Sequence, residues 1–185
     1  MSEKKKKNSP KDEAQFLYDL KNRFQIAEGY SKAGLLLTKY ASRANDPSVL
    51  HSLMALKGLA VEAYLKCLYD LDHQKSYTGD DLQKLFEALG KSSQELIETY
   101  FEELKENSDF IKLAHVQYKE MAGHDIHMDI DHVLGEWSHA FGKRRFFFDP
   151  DHKVSFLAFQ EIRGALRRRL LELHPELEEA TEPQS

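Results

Sequence analysis

Two residues near position 150 have the side chains needed for acid–base chemistry on RNA. Arg145 and His152 are separated by six residues in the segment KRRFFFDPDH, which spans residues 143–152. Cleavage of RNA without a metal ion needs a base that takes the proton of the 2′-hydroxyl and a cation that stabilises the charge developing on the phosphate. Histidine and arginine can supply these two functions. Arg145 and His152 have these capacities, and this chemistry requires no cofactor.

Two features of the same segment argue against an assembled catalytic pair. Three phenylalanines, 146–148, follow Arg145 directly, and Asp149-Pro150 is a strong helix start with aspartate as N-cap. Because a new helix would begin there, the spacing does not place Arg145 and His152 on one helix face. In the alternative interpretation the phenylalanines belong to the core and His152 lies at the surface. The sequence therefore favours a binding module over an enzyme.

The region around this pair is basic, although the chain as a whole is acidic. Between Lys143 and Leu170 there are eight Lys or Arg residues and three acidic residues, whereas the 185-residue chain has a formal net charge of −5. Segregated positive charge attracts polyanions, and arginine can bind phosphate through two parallel hydrogen bonds. The region thus predicts RNA or a nucleotide as ligand, with these phosphate-binding residues: Lys143, Arg144, Arg145, Arg163 and Arg167. Alternatively, the arginines at 167–169 complement a helix dipole and pair with acids of neighbouring helices.

A second group of chemically active side chains lies at residues 123–132, where GHDIHMDIDH alternates His or Asp with apolar residues. Imidazole and carboxylate groups suit zinc, manganese or iron, and His115 and His139 on flanking helices could complete a shell. Metal-dependent hydrolases, however, need further ligands at defined positions. The simpler interpretation is a connection in which Asp129 or Asp131 caps the next helix. We therefore predict no metal site.

Helices must position these segments, because the apolar periodicity is helical along almost the whole chain. Residues 47–73 are apolar over most of the helix circumference, which is typical of the central helix of a bundle. The exceptions form a narrow polar stripe that includes the Glu62–Lys66 pair. Lys57 lies opposite that stripe, and its predicted environments are a buried anion, an acid of the first helix, or an edge that the ammonium reaches while the stem packs. The central helix should place these residues in the core: Leu53, Met54, Val61, Leu65 and Leu68.

The remaining periodic segments predict an all-α fold, a single bundle of about six or seven helices. Besides the central helix, the predicted helices are these: 12–44, a short one after Gly79, one capped by the box at 92–95, one capped by Ser108, 131–142, and 151–173, which His174-Pro175 should end. The expected domain spans residues 12–175. A basic tail at 1–11 and an acidic flexible tail at 176–185 flank it.

Composition supports one soluble cytoplasmic domain. The chain has 41% hydrophobic residues and a single cysteine, Cys67, which can form no internal disulfide and is typical of a reducing compartment. No apolar run is long enough to span a membrane. These features exclude an integral membrane protein and a disulfide-stabilised secreted domain.

The pattern AxExxLKxL at residues 60–68, followed by GxDLxxLFxxL at 79–89, resembles the HEPN (higher eukaryote and prokaryote nucleotide-binding) domain family. The resemblance implies a homodimer that binds RNA or a nucleotide in a bacterial defence, toxin–antitoxin or stress system. Catalytic members carry an arginine, four to six residues and a histidine, so Arg145 and His152 would form a metal-independent endoribonuclease site across a dimer. The aromatic residues after Arg145 are closer to members that look non-catalytic. The remaining alternative is a non-catalytic module that binds a protein partner.

Overall fold

The protein is an all-α bundle. The computed structural model describes residues 10–44, 48–142 and 158–179, and within these ranges it contains seven α-helices and no strand. They are α1 (Pro10–Ala44), α2 (Ser48–His73), α3 (Leu82–Glu87), α4 (Lys91–Glu106), α5 (Asp109–Ala122), α6 (Ile130–Gly142) and α7 (Phe159–Leu173), with a 3₁₀ turn at Pro175–Leu177. The predicted bundle of six or seven helices is confirmed. In the described ranges, no helix combines the length and apolar character needed to cross a membrane.

The long helices α1 and α2 form an antiparallel pair. Residues later in α1 meet residues earlier in α2, as shown by the contacts Arg23–Asp70 and Glu28–Tyr64. Val61, Leu65 and Leu68 in the middle of α2 are fully buried and Leu53 is buried, which confirms the core prediction for these four residues. Met54 is only half-buried, so its assignment to the core was wrong.

Besides α1, the helices α3, α6 and α7 pack against α2, and α4 packs against α7. The largest buried side chains come from different helices: Phe24, Tyr64, Phe101, Trp137 and Phe159. The Trp137 and Phe159 rings, with centroids 6.4 Å apart, join α6 to the first turn of α7. Helix α7 is therefore anchored at its start, on the side of the bundle where the chain enters from residues 143–157.

Of two predicted helix N-caps, one is confirmed and the other is wrong. The Ser108 hydroxyl accepts a hydrogen bond from the Ile111 amide at 3.3 Å, so the predicted cap of α5 is confirmed. The predicted capping box at 92–95 is wrong, because α4 already begins at Lys91. Ser93 is buried instead, and its hydroxyl donates to Asp72 of α2 at 3.0 Å. The Asp72 carboxylate also accepts from the Gly90 amide at 2.7 Å and so ties the start of α4 to α2.

The end of α7 agrees with its prediction, whereas the segment that follows α7 does not. Helix α7 ends at Leu173 before His174-Pro175, as expected, whereas its predicted start at 151 lies outside the described residues. The prediction of a flexible tail from Glu176 is wrong at Leu177, which is fully buried and belongs to the core, and residues 180–185 lie outside the described ranges. An apolar side chain two residues after Pro175 thus extends the ordered domain.

Candidate functional site

A buried polar cluster joins α1, α2 and α7, and it contains two of the predicted phosphate-binding residues. Arg167 donates from Nε to Glu28 Oε1 at 2.9 Å, and the Tyr64 hydroxyl donates to the same oxygen at 2.7 Å. The Arg163 guanidinium lies 3.8 Å from Glu28 Oε2. The Glu28 side chain is only 6% exposed. We call Glu28, Tyr64, Arg163 and Arg167 the Glu28 cluster.

The electrostatics of the Glu28 cluster are those of a structural ion pair. Burial raises the pKa of Tyr64, and the charge of Glu28 and the hydrogen bond to it raise that pKa further. The Tyr64 hydroxyl therefore stays protonated and remains a donor. Breaking such a buried pair leaves a charge without a partner, which is strongly destabilising. In this structure Arg167 neutralises Glu28.

The next two arginines of α7 are also paired with acids of the bundle. Arg168 lies 2.8 Å from Glu103 of α4, and its guanidinium stacks 3.9 Å from the centroid of the Tyr100 ring. Arg169 is 3.8 Å from Glu172 and donates to Ser93. These contacts are the ones expected from the alternative interpretation of residues 167–169. Much of the positive charge of α7 is therefore neutralised within the bundle.

Lys57 of α2 differs from these arginines in its surroundings. Its ammonium lies 5.2 Å from the centroid of the Phe159 ring, in the seam between α2 and the first turn of α7, and its stem lies beside Gly34 of α1. Burial lowers the pKa of Lys57, although the charge of Glu161 acts in the opposite direction. Within the described ranges Lys57 makes no ion pair. The predicted packing of the Lys57 stem is confirmed, whereas an ion pair with an acid of α1 is not found within the described ranges.

Three polar atoms on α1 and α7 are buried without partners within the described ranges. Ser31 Oγ, Glu161 Oε2 and Arg163 Nε are buried, and no group in the described part of the chain forms a hydrogen bond with them. Ser31 lies one turn from Glu28 on α1, and Arg163 lies one turn from Phe159 on α7. We call Ser31, Lys57, Glu161 and Arg163 the seam site. It offers three donors and one acceptor from three helices.

In the sequence, the basic segment precedes helix α7, which carries Glu161 and Arg163. Helix α7 begins at Phe159, and the residues that lead into it include Lys143, Arg144, Arg145 and His152. These four residues lie outside the described ranges, so their predicted roles stay predictions. Of the predicted phosphate-binding residues, the structure places Arg163 and Arg167 together on α7.

The sequence interpretation missed Glu28, Ser31 and Glu161. A signal for Glu28 was present, because it falls beside Phe24 and Ala27 on the face of α1 that carries the apolar periodicity. An acid at such a position needs an internal cation. Its partner Arg167 is 139 residues away in the sequence, so the identity of that cation could not be read from local spacing.

The His and Asp residues at 123–132 mainly form local pairs. Asp129 accepts a hydrogen bond from the His132 amide at 2.7 Å, which confirms the predicted cap at the start of α6. Asp125 lies 2.9 Å from both His115 Nε2 and the Lys119 ammonium. Across the part of the chain that the structure describes, no three His, Cys, Asp or Glu residues are arranged to hold a metal ion.

Comparison with known proteins finds no matching family model, curated protein or solved structure. The HEPN resemblance therefore remains a prediction from the sequence pattern of α2 and α3. The geometry of the seam site is the main structural observation that bears on function.

Proposed function

We propose that this protein is a helical module that binds RNA or a nucleotide through the seam site. The observation that carries the proposal is Lys57, a half-buried cation that makes no ion pair within the described residues. Desolvating a charge is costly unless an opposite charge or hydrogen bonds compensate. Glu161 supplies part of the compensating negative charge, and a phosphate group would supply the rest.

The other groups of the seam site fit the same class of ligand. Arg163 Nε and Ser31 Oγ are donors without partners, and phosphate oxygens accept such hydrogen bonds. Glu161 Oε2 is an acceptor without a partner, and the ribose 2′-hydroxyl is a donor. A phosphate next to a ribose therefore matches both kinds of group. The lysines and arginines that lead into α7 would add long-range attraction for a polyanion.

The HEPN-like pattern supports a role for this module in a bacterial defence, toxin–antitoxin or stress system, in the cytoplasm. We propose binding without catalysis, because the phenylalanines after Arg145 and the helix start at Asp149-Pro150 disfavour a catalytic pair. The alternative is a metal-independent endoribonuclease in which Arg145 and His152 act across a dimer. A direct cleavage assay distinguishes the two.

The proposal is tested by removing the Lys57 charge. Lys57→Met keeps an unbranched apolar stem. Lys91→Met is the matched control, because the Lys91 side chain is 88% exposed and begins α4, next to the Gly90–Asp72 contact at the C-terminal end of α2. Binding to fluorescein-labelled single-stranded RNA is followed by anisotropy over a salt series. Lys57→Met should weaken binding and reduce the slope of log K against log salt by about one, the effect of one phosphate contact. Lys91→Met should leave both unchanged.

Stability measurements exclude unfolding as the cause of any loss. Lys57→Met removes a desolvated charge but also a cation near the buried carboxylate of Glu161, so RNA binding is compared only after thermal unfolding shows that the variant is folded. If the folded variant binds RNA with wild-type affinity and salt slope, the seam site is not the phosphate site. Absence of wild-type binding at low salt to both RNA and nucleotides would contradict the proposed function itself.

A second candidate function, pairing with a second copy of the chain, is favoured by α5. Four large apolar side chains of this helix are more than half exposed: Phe110, Leu113, Val116 and Met121. Apolar surface of this kind marks an interaction site. Asp109 and Lys119 lie at opposite ends of α5, so an antiparallel pair of α5 helices would bring the acid of one copy to the lysine of the other.

Light scattering coupled to size-exclusion chromatography tests this second candidate. The wild type should be a dimer, and Leu113→Asp should be a monomer because a charge in the apolar contact is costly. Thr99→Asp adds the same charge at an exposed position of α4 and should remain a dimer. A monomeric wild type at micromolar concentration would exclude a stable α5 homodimer.

A further inference from the structure

The outer face of α1 carries a continuous apolar ridge. Among the described helices α1 packs mainly against α2, so its far side faces solvent. Gly29 and Ala33 lie on that side, between Ile26 and Leu36. The large apolar side chains of the same face are more than half exposed: Tyr18, Ile26, Leu36 and Tyr40. We call these six residues the α1 ridge.

The spacing of the α1 ridge is that of a helix–helix seam. From Ile26 to Tyr40 its members recur after three, four, three and four residues, which is the alternation of a and d positions in a heptad. Tyr18 lies about two turns before Ile26 and extends the ridge to about 33 Å at a rise of roughly 1.5 Å per residue. Phe24 and Ala27, which are fully buried, point to the opposite side of α1. The ridge is therefore a second apolar face, separate from the face that packs on α2.

Nothing in the described part of the chain accounts for Gly29 at the centre of the α1 ridge. A Cβ on Gly29 would meet no described atom within 4 Å, whereas a Cβ on Gly34 of the same helix would lie 3.6 Å from the Lys57 side chain. Gly29 has helical geometry, so its backbone conformation does not require glycine either. Glycine inside a helix is destabilising relative to alanine, and its common use is to admit a close approach from outside. Gly29 thus points to a group that packs onto the ridge.

The charge beside the α1 ridge is positive. Lys32, Lys39 and Arg43 are exposed and follow one another along the same flank of the ridge. Residues that flank the seam of two paired helices select the partner by charge. A helix that lies on the ridge would therefore carry acidic side chains opposite this flank.

We propose that the α1 ridge binds an amphipathic helix of a partner protein, which packs a large apolar side chain over Gly29 and places acidic side chains beside Lys32 and Arg43. The ridge lies on a different face of the bundle from the exposed side of α5. This inference does not depend on RNA binding at the seam site.

Two other occupants fit the α1 ridge less well. In the antiparallel register that pairs Ile26 of one α1 with Leu36 of another, Gly29 faces Ala33, so the middle of the seam lacks the large side chain that good packing needs. RNA could place phosphates beside the basic flank. However, Ile26 and Leu36 offer a base neither a hydrogen bond nor an aromatic face.

Two synthetic peptides serve as probes of the partner chemistry. Both are fluorescein-labelled, about four heptads long and have leucine at a and d; one has glutamate at e and g and the other has lysine. Like charges at e and g keep each peptide from pairing with itself. In anisotropy titrations the wild type should bind the acidic peptide at least about tenfold more tightly than the basic one. The double variant Lys32→Glu, Arg43→Glu should reverse this preference.

Gly29→Gln tests the close approach itself. It fills the gap with an uncharged side chain, meets no described neighbour in the free protein and replaces glycine by a better helix former. The variant should therefore be at least as stable as the wild type in thermal unfolding, yet bind the acidic peptide at least about tenfold less tightly, the effect of a central interface position. Thr38→Gln is the matched control, because Thr38 is exposed on the opposite side of α1, and it should keep the wild-type affinity.

Nuclear magnetic resonance locates the contact, since the largest amide shifts on addition of the acidic peptide should fall within residues 18–43. Shifts elsewhere, no binding of the acidic peptide up to about 1 mM, equal affinity for the two peptides, or wild-type affinity in folded Gly29→Gln would overturn the proposal. Self-association that Gly29→Gln abolishes and Leu113→Asp retains would assign the ridge to a second copy instead. Loss of RNA binding in folded Gly29→Gln would assign it to RNA.

Discussion

The Glu28 cluster leads to a prediction about Arg167 that separates a structural role from a phosphate-binding role. In Arg167→Met, Glu28 keeps the hydrogen bond from Tyr64 at 2.7 Å, but its nearest remaining cation is Arg163 at 3.8 Å. Breaking a fully buried ion pair costs about 3–5 kcal/mol. Arg167 is 27% exposed and Arg163 remains nearby, so we expect a loss of about 2–3 kcal/mol.

A double-mutant cycle with Glu28→Gln measures the interaction itself. Glutamine still accepts from Tyr64, and Arg167 can turn toward Glu178, which is 3.7 Å away. The single Glu28→Gln change should therefore cost only about 1–2 kcal/mol. In the double variant no buried carboxylate of the Glu28 cluster is left without Arg167, so the two losses should not add. We expect a coupling energy of about 1–2 kcal/mol, since the residues are in direct contact.

Urea unfolding followed by far-ultraviolet circular dichroism supplies these free energies. A loss below about 0.5 kcal/mol for Arg167→Met, the size of a surface effect, would refute the view that Arg167 neutralises a buried acid. RNA binding by the same folded variant gives the second readout. If affinity falls while stability is unchanged, Arg167 faces a phosphate, as the sequence alone predicted.

Three further predictions concern the core, the cysteine and the enzyme alternative. Leu65→Ala should lower the free energy of unfolding by about 2–5 kcal/mol because Leu65 is fully buried, whereas Leu113→Ala on exposed α5 should stay below about 0.5 kcal/mol. Burial raises the pKa of Cys67 to about 12, so a disulfide reagent at neutral pH should label this thiol only when the protein unfolds, and rapid labelling of the native protein would contradict its burial. Single-stranded RNA incubated with the protein and a chelator should stay intact, and cleavage that His152→Ala abolishes would establish the ribonuclease instead.

The sequence predicted those parts of the fold that local spacing determines. The apolar residues of α2 recur all around the helix, and this alone was enough to place Leu65 and Leu68 in the core. Ser108 was recognised as a cap because a cap acts within three residues of its own helix. The contact of Asp72 with Ser93 could not be found in this way, since it depends on how the end of α2 meets the start of α4.

Long-range contacts also decided which polar residues are exposed. Tyr69 lies in the predicted polar stripe of α2, yet it is buried because the Tyr77 ring packs edge-on against it at 5.1 Å. Tyr77 belongs to the connection after α2, for which helical periodicity makes no prediction. The candidate site depends even more on such contacts. The seam site combines residues of α1, α2 and α7, and only the assembled bundle brings them together.

Ion pairs within the bundle change the functional interpretation of the basic region of the sequence. The excess of positive charge between Lys143 and Leu170 suggested one continuous phosphate-binding surface, but Arg167, Arg168 and Arg169 each contact an acid of the bundle. A charge that already has a partner contributes little to attracting a polyanion, since the field of the pair falls off rapidly. Among the Lys and Arg side chains of α2 and α7 in the described residues, Lys57 is therefore the one without an ion pair. This is why a single neutral substitution at Lys57 is a sharper test of RNA binding than reversing several arginines of α7.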